Sequence, residues 1–406
     1  MLDFCRNLSL QEANALVFKK QIFPEISNQW LVDQFFAQKA AKDKISDWSS
    51  NHNLIYPDKV AIEQATSGLL ARWKTSLIPT DTELLIDGTA GLGVDTFYLS
   101  RKALKAIAFE ASESRSELLV HNLNSLSVKN VEVISNSFEN QSISSLISNP
   151  QKTIVYLDPD RRPADGNRQT SWQDSIPNLQ FVYDDCKRLK TNLLVKLSPM
   201  DNLADLKEKL PGIVNVWVIS IQQEVKELLI QWDFTQQVDQ NSYRCVEIQK
   251  SGQYVEIEVL EIEGSILNLT LPKVGSHLYD PWPTLRKGFM AQSWMAQNGF
   301  KILSAEAQLY QHSDCKMNIP SRIFKIESIV DNFSDFSKKW KNKNLNVVSR
   351  NFPVNAEEIK KRNKWIDGGD QFLFCYQTVD KQKVYVLTTK QEAPKSSSFW
   401  KILPKD

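Results

Sequence analysis

The chain has 406 residues, 42% of them hydrophobic and 24% charged, and its 49 Lys/Arg against 48 Asp/Glu leave a net charge of +1. That length suits two or three domains with cores of their own. No stretch approaches the ~20 apolar residues of a membrane span, and Met1 to Arg6 carry no signal-peptide pattern, so a cytoplasmic protein without membrane contact is expected. Cysteines at 5, 186, 245, 315 and 375 are scattered, as are the four histidines, which argues against a disulfide framework and leaves no metal site expected.

Residues 1–78 read as helical. Ser9-Leu10-Gln11-Glu12 fits a capping box, and further helical runs are Trp30–Lys44 and Val60–Leu77, the second announced by Tyr56-Pro57-Asp58. From 80 to 235 strands and helices alternate, which predicts a parallel sheet with crossover helices. The strands fall at 83–87, 105–110, 131–134, 153–157, 192–197 and 214–221, with a last one at 226–232. Helices fill the gaps, Ser112–Leu126 among them. From Tyr243 to Leu271 the period becomes two, with Val246, Ile248, Val255, Ile257, Val259, Leu267, Leu269 and Leu271 alternating with polar residues. That pattern predicts antiparallel sheet with one wet face. Residues 276–330 return to mixed α/β, with a helix near Leu285–Gln297. Ser334–Asn346 reads as a linker or a solvated helix. Strands at 345–350, 372–377 and 384–389 surround a helix at 356–364.

The first strand runs directly into Asp87-Gly88-Thr89-Ala90-Gly91-Leu92-Gly93-Val94-Asp95. Glycines let backbone approach a ligand where a Cβ would clash. A P-loop would need Gly-Lys-Ser/Thr, and here Val94-Asp95 follows Gly93; a dinucleotide fingerprint would need Gly where Thr96 stands. Asp87 suits a cationic or hydroxyl-rich ligand better than a pyrophosphate. Glu110, 23 residues beyond Asp87 at the end of the second strand, is placed to hold a ribose diol.

Asp158-Pro159-Asp160-Arg161-Arg162-Pro163 follows the strand 153–157, whose tip should overhang the ligand of the first loop. Pro159 biases Asp158 towards an extended backbone and aims its carboxylate at a substrate group. Asp160 and Arg161 stand where amino-group methyltransferases carry a second proline and an aromatic, so the ring that would stack a target base is missing. Arg161 and Arg162 are instead candidate clamps for a phosphate or carboxylate. Ser137 and Phe138 follow the third strand, at the same carboxyl edge of the sheet. Lys196, ending the fifth, is a candidate for an anionic substrate group.

The chain resembles motif I of the class I S-adenosylmethionine (SAM) methyltransferases through Asp87 to Asp95 with Glu110. Over nearly its whole length it is similar to one bacterial family of these enzymes, through Leu54-Ile55-Tyr56-Pro57, Glu63-Gln64, the glycine loop, and Tyr156-Leu157-Asp158-Pro159 with Arg161-Arg162. The similarity continues in Lys196-Leu197-Ser198-Pro199, Tyr279-Asp280-Pro281, Arg350-Asn351-Phe352-Pro353 and Asp367-Gly368-Gly369-Asp370. The resemblance implies an α/β fold with a Rossmann-like, mostly parallel seven-stranded sheet. It implies a helical region over 1–78, the SAM-binding domain with a β extension over 79–273, a ferredoxin-like segment over 274–330, and a small α+β THUMP-like domain over 331–406. It implies SAM held by Asp87, Gly88, Thr89, Ala90, Gly91, Gly93, Asp95, Glu110, Ser137 and Phe138. Asp158 and Pro159 would position the acceptor, and Arg161, Arg162, Lys196 and Arg350 would contact it. RNA, ribosomal or transfer, is the implied acceptor. Independently, residues 338–401 hold 14 Lys/Arg against 6 Asp/Glu, a surplus of +8 that leaves 1–337 at −7. A basic C-terminal unit on an acidic body suits a polyanion, and Trp340 and Trp365 lie within it. Two other readings are a methyltransferase for a small molecule or protein side chain, and a non-catalytic SAM- and RNA-binding protein. Oligomeric state is not legible.

Overall fold

The computed structural model describes residues 1–161, 172–236, 242–259, 269–287, 290–391 and 401–403. Its larger sheet is built on the expected apolar strands: β1 (Thr82–Asp87), β2 (Ala103–Phe109), β3 (Val131–Ile134), β4 (Thr153–Leu157), β5 (Asn192–Leu197), β6 (Ile213–Ile221) and β7 (Glu224–Asp233). They lie in the order β3-β2-β1-β4-β5-β7-β6, and only β7 runs antiparallel. The chain thus leaves β1 in one direction and returns to β4 on its other side. At such a switch point the loops after β1 and β4 splay apart and leave a crevice at the carboxyl ends. Helices cover both faces, so Val155, Tyr156 and Leu157 are fully buried although they point alternately to opposite sides.

Three more strands extend the sheet past β6: β8 (Ser242–Ile248), β9 (Gln253–Val259) and, from the far end of the chain, β17 (Lys401–Ile402). The expected antiparallel hairpin is present as β8 and β9, but β8 joins β6 in parallel. Its one-wet-face reading fails too. Cys245, Val246, Glu247 and Ile248 are all buried, because the helix Pro283–Lys287 packs over this end of the sheet. Leu267 lies outside the described residues, Leu269 makes a single bridge to Ile302, and Leu271 is exposed.

A second sheet holds β10 (His277–Pro281), β11 (Lys301–Ser304), β12 (Leu309–His312), β13 (Ser321–Ile329), β14 (Asn346–Arg350), β15 (Gln371–Gln377) and β16 (Lys383–Gln391). Their order is β11-β12-β10-β13-β16-β15-β14, one sheet that passes residue 330 without a break. Leu278, Phe324, Phe374 and Val386 form its core. The charged segment expected as a linker or solvated helix contains the helix Phe333–Trp340, capped by Asn332. It is held by rings: Phe333 stacks on Tyr385 at 4.4 Å, and Phe336 meets both Trp340 and Trp365. Trp365 is buried, so it serves this small core.

The capping box forms as expected, Ser9 accepting from Glu12 N–H while Glu12 accepts from Ser9 N–H. The run expected over Val60–Leu77 breaks into Lys59–Gln64 and Gly68–Thr75. Thr66 is drawn out of the helix to donate to Asp95, and Ser67 then caps the second helix through Leu70 N–H.

Candidate active site

A cleft of about 490 Å3 opens where β1, β2 and β4 end, lined by the loop 88–95, Glu110, Ser137, Asp158 and Lys196 among others. The loop after β1 is shaped by backbone pairing that outlasts the strand. Gly88 N–H donates to Tyr156 C=O at 3.0 Å and Ala90 N–H to Phe109 C=O at 2.9 Å. A Cβ on Gly88 would lie 2.6 Å from Leu157 and 2.7 Å from the Phe138 ring, so only glycine lets β1 continue here. Gly93 ends the loop in the left-handed region, at φ +84°, and caps the helix Val94–Leu99; its Cβ would meet Leu119 Cδ1 at 2.2 Å. Strain and overpacking together should make Gly93→Ala cost about 2–4 kcal/mol in urea unfolding. A loss under ~1 kcal/mol would mean the turn re-forms without this geometry.

Asp87 is buried, and its carboxylate accepts from Thr96 Oγ1 at 2.6 Å and from Thr89 N–H at 3.0 Å. Burial pushes its carboxyl up to about 7, the nearby Asp95 and Asp158 pushing the same way while Thr96 and Thr89 resist. The folded form therefore binds a proton that the unfolded form releases near pH 4. Its stabilisation is fully present below about pH 4 and is lost as pH rises through about 7. Over that window wild-type stability should fall relative to Asp87→Asn, measured as denaturant midpoints against pH. Parallel curves for the two proteins would contradict the raised carboxyl.

Just after β4, Asp158 donates its N–H to Thr89 Oγ1 at 2.6 Å, tying the two loops of the crevice together. Its carboxylate is paired with Lys196 from β5 and keeps 38% of its side chain exposed, towards the cleft. Lys196 also donates to Thr66 at 3.3 Å. Under the loop lies a buried ionic network. Lys74, with no exposure, sits 3.1 Å from both Asp95 and Glu227 and donates to Tyr156 Oη at 3.1 Å. Tyr156 in turn donates to Asp95 at 3.0 Å. Burial alone would raise the Asp95 carboxyl, but Lys74 and Lys196 hold it below the usual range. Burial raises that of Glu227 in spite of the same two lysines.

The fold thus brings Gly88 to Asp95, Glu110, Ser137, Phe138, Asp158, Pro159 and Lys196 to one cleft, while Asp87 stays buried beneath the loop, bound to Thr89 and Thr96, and does not line it. Glu110 is held by Ser112 N–H at 2.8 Å and is half-buried. Asp95 lines the cleft but spends its carboxylate on Lys74, Tyr156 and Thr66. Phe138 is buried beneath Gly88 against Phe109. Arg162 lies outside the described residues, and only the backbone of Arg161 is described. Arg350 stands apart from the cleft, in an ion pair with Asp280. Lys74, Thr66, Thr96, Tyr156 and Glu227 were not legible as site residues. A lysine beside Trp73 and a glutamate inside an apolar strand are the signals that exist, since such charges are buried only when paired.

Residues 321–390 match the model of the THUMP domain-like family. The whole chain superposes on a presumed methyltransferase from Porphyromonas gingivalis W83 with a TM-score of 0.85, at 22% identity, over 96% of this chain and 97% of that one. The chain thus shares the fold of that protein and ends in a THUMP-like part. More partial similarities are to an rRNA methylase from Streptococcus thermophilus (TM-score 0.31, 15% identity, 41% of this chain and 96% of that one) and to the tRNA (m1A58) methyltransferase from Aquifex aeolicus (TM-score 0.30, 13% identity, 41% and 69%). At those scores they carry no argument. No curated protein matches the chain.

Proposed function

We propose that the protein is a SAM-dependent methyltransferase whose acceptor is RNA. The observation that carries the reading is the convergence of the loop Gly88 to Asp95, Glu110 and Asp158 on one cleft at the switch point. The donor set fits this cofactor. Glu110 offers an acceptor for a ribose diol, the turn at Gly91 leaves backbone open to the cleft, and Asp87, buried beneath the loop, fixes its start through Thr89 and Thr96. When bound, SAM supplies a methyl group on a sulfonium leaving group.

The protein's own work is positional, a kind of contribution that reaches about 7–11 kcal/mol in the best intramolecular systems. Asp158, fixed through its backbone by Thr89 and through its carboxylate by Lys196, has an oxygen available to orient an acceptor amine or hydroxyl and to take its proton. The RNA half of the reading rests on the THUMP-like match and on the +8 surplus of residues 338–401. Labelled methyl from SAM should pass to RNA and not to protein or small molecules, and RNA binding should weaken as salt rises. SAM binding without transfer to RNA, together with salt-insensitive absence of RNA binding, would defeat the reading.

A further inference from the structure

A single buried carboxylate in the second sheet holds three guanidinium groups. Asp280, on β10, has a side chain with no exposure. Arg286, from the helix Pro283–Lys287, meets it at 2.6 Å. Arg322, its register partner on β13, donates Nε–H to Oδ2 at 3.0 Å. Arg350, ending β14, reaches both oxygens, at 3.1 and 3.3 Å. Burial would raise the Asp280 carboxyl, but the three arginines hold it below the ordinary range. One negative charge against three positive ones leaves this cluster at +2.

One arginine would satisfy Asp280 as a structural tie, and Arg286, the least exposed of the three at 21%, suffices for that. The other two are the more exposed, at 37% for Arg322 and 29% for Arg350. Both line a hollow of about 720 Å3, together with Ser349, Asn351 and Asn355. Asn351 turns the chain at φ +43°. The helix Ala356–Asn363, capped by Asn355, begins on the same rim and adds the positive end of its dipole. The one carboxylate on that rim, Glu358, is taken by Arg362. The hollow shares no lining residue with the methyl-transfer cleft.

We infer that this hollow is a phosphate-binding site, and that a phosphodiester of the acceptor RNA is its occupant. Guanidinium forks match phosphate oxygens bidentately, and two of them held by one carboxylate are already oriented before the ligand arrives. The choice of RNA as the source of the phosphate rests on the function proposed above; the anion site does not. Such a grip away from the cleft would fix RNA backbone while the reacting nucleotide enters elsewhere.

The test uses the full chain, with Arg322→Gln, Arg350→Gln and the double variant. Arg322→Gln leaves Asp280 two arginines, so one informative variant keeps the local ion pairing, and unchanged SAM affinity checks the fold of each. The first arm titrates inorganic phosphate against chloride at matched ionic strength and reads Tm. Phosphate should stabilise the wild type saturably and leave the double variant unaffected. The second arm measures anisotropy of a fluorescent single-stranded RNA across salt. Each lost arginine should reduce the slope of log K against log salt by about 0.7 and weaken binding about fivefold at 0.1 M salt. RNA bound equally by wild type and variants overturns the phosphate site and leaves the RNA reading standing. Phosphate stabilisation lost in the double variant, with no RNA binding by wild type, keeps the anion site as one for free phosphate and removes RNA as its source. No phosphate effect on the wild type and no variant effect on RNA overturns the inference outright.

Discussion

Replacing Lys74 with alanine should destabilise the larger unit by about 3–5 kcal/mol, because it strands the Asp95 charge and exposes Glu227 to an unneutralised neighbour inside the core. Lys74 has no exposure and is the shared partner of both carboxylates, at 3.1 Å each. The damage should spread upward. Asp95 sits in the first turn of the helix that follows Gly93, and Tyr156 hydrogen-bonds both Lys74 and Asp95. SAM affinity should therefore fall along with stability. Adding Glu227→Gln to Lys74→Ala should recover part of the loss, since it removes one of the two uncompensated groups. Urea midpoints for the single and double variants decide this; a Lys74→Ala loss below ~1 kcal/mol would contradict a paired network.

Asp158→Asn should lower methyl transfer by about 10²–10⁴-fold, the range in which a positioned proton acceptor contributes, while SAM affinity changes little. The separation is expected because the Asp158 backbone N–H, not its carboxylate, makes the bond to Thr89 in the glycine loop. Asparagine keeps that bond and the side-chain shape but cannot take a proton or pair with Lys196 as a charge. Measuring kcat and SAM Kd on the same preparations tests it. If kcat stayed within tenfold of wild type, Asp158 would have no proton to accept; if both constants fell together, its role would be in holding the cofactor.

Most of the larger unit was legible because its strands are short apolar runs followed directly by small or acidic residues. Leu84 to Ile86 ending in Asp87-Gly88, and Thr153 to Leu157 ending in Asp158-Pro159, each mark a strand tip by composition alone. Burial on both faces produces such runs, and the same burial hid the parallel pairing of β8. Its alternating Val246 and Ile248 suggested one wet face, yet Glu247 between them is buried too, accepting hydrogen bonds from Ser220 Oγ and Gln223 N–H. The network beneath the loop was not legible. Lys74, Asp95, Tyr156 and Glu227 come from four distant elements, and only the fold sets them side by side. Nor does local pattern reveal that β17, at the end of the chain, returns to pair with Tyr254 at the edge of the first sheet. Arg350 drew notice as a basic residue at a strand end. That it shares Asp280 with Arg286 and Arg322 is a property of the fold, which brings the end of β14 and the helix Pro283–Lys287 to the β10–β13 pair, and spacing along the chain does not encode it.

The most direct measurement is nucleoside mass spectrometry of total RNA from cells with and without the gene. Methyl transfer to RNA predicts one methylated nucleoside missing from the deletion, restored by the intact gene and not by an Asp158→Asn variant that still binds SAM. An unchanged set of modified nucleosides in the deletion, or full restoration by Asp158→Asn, would contradict it.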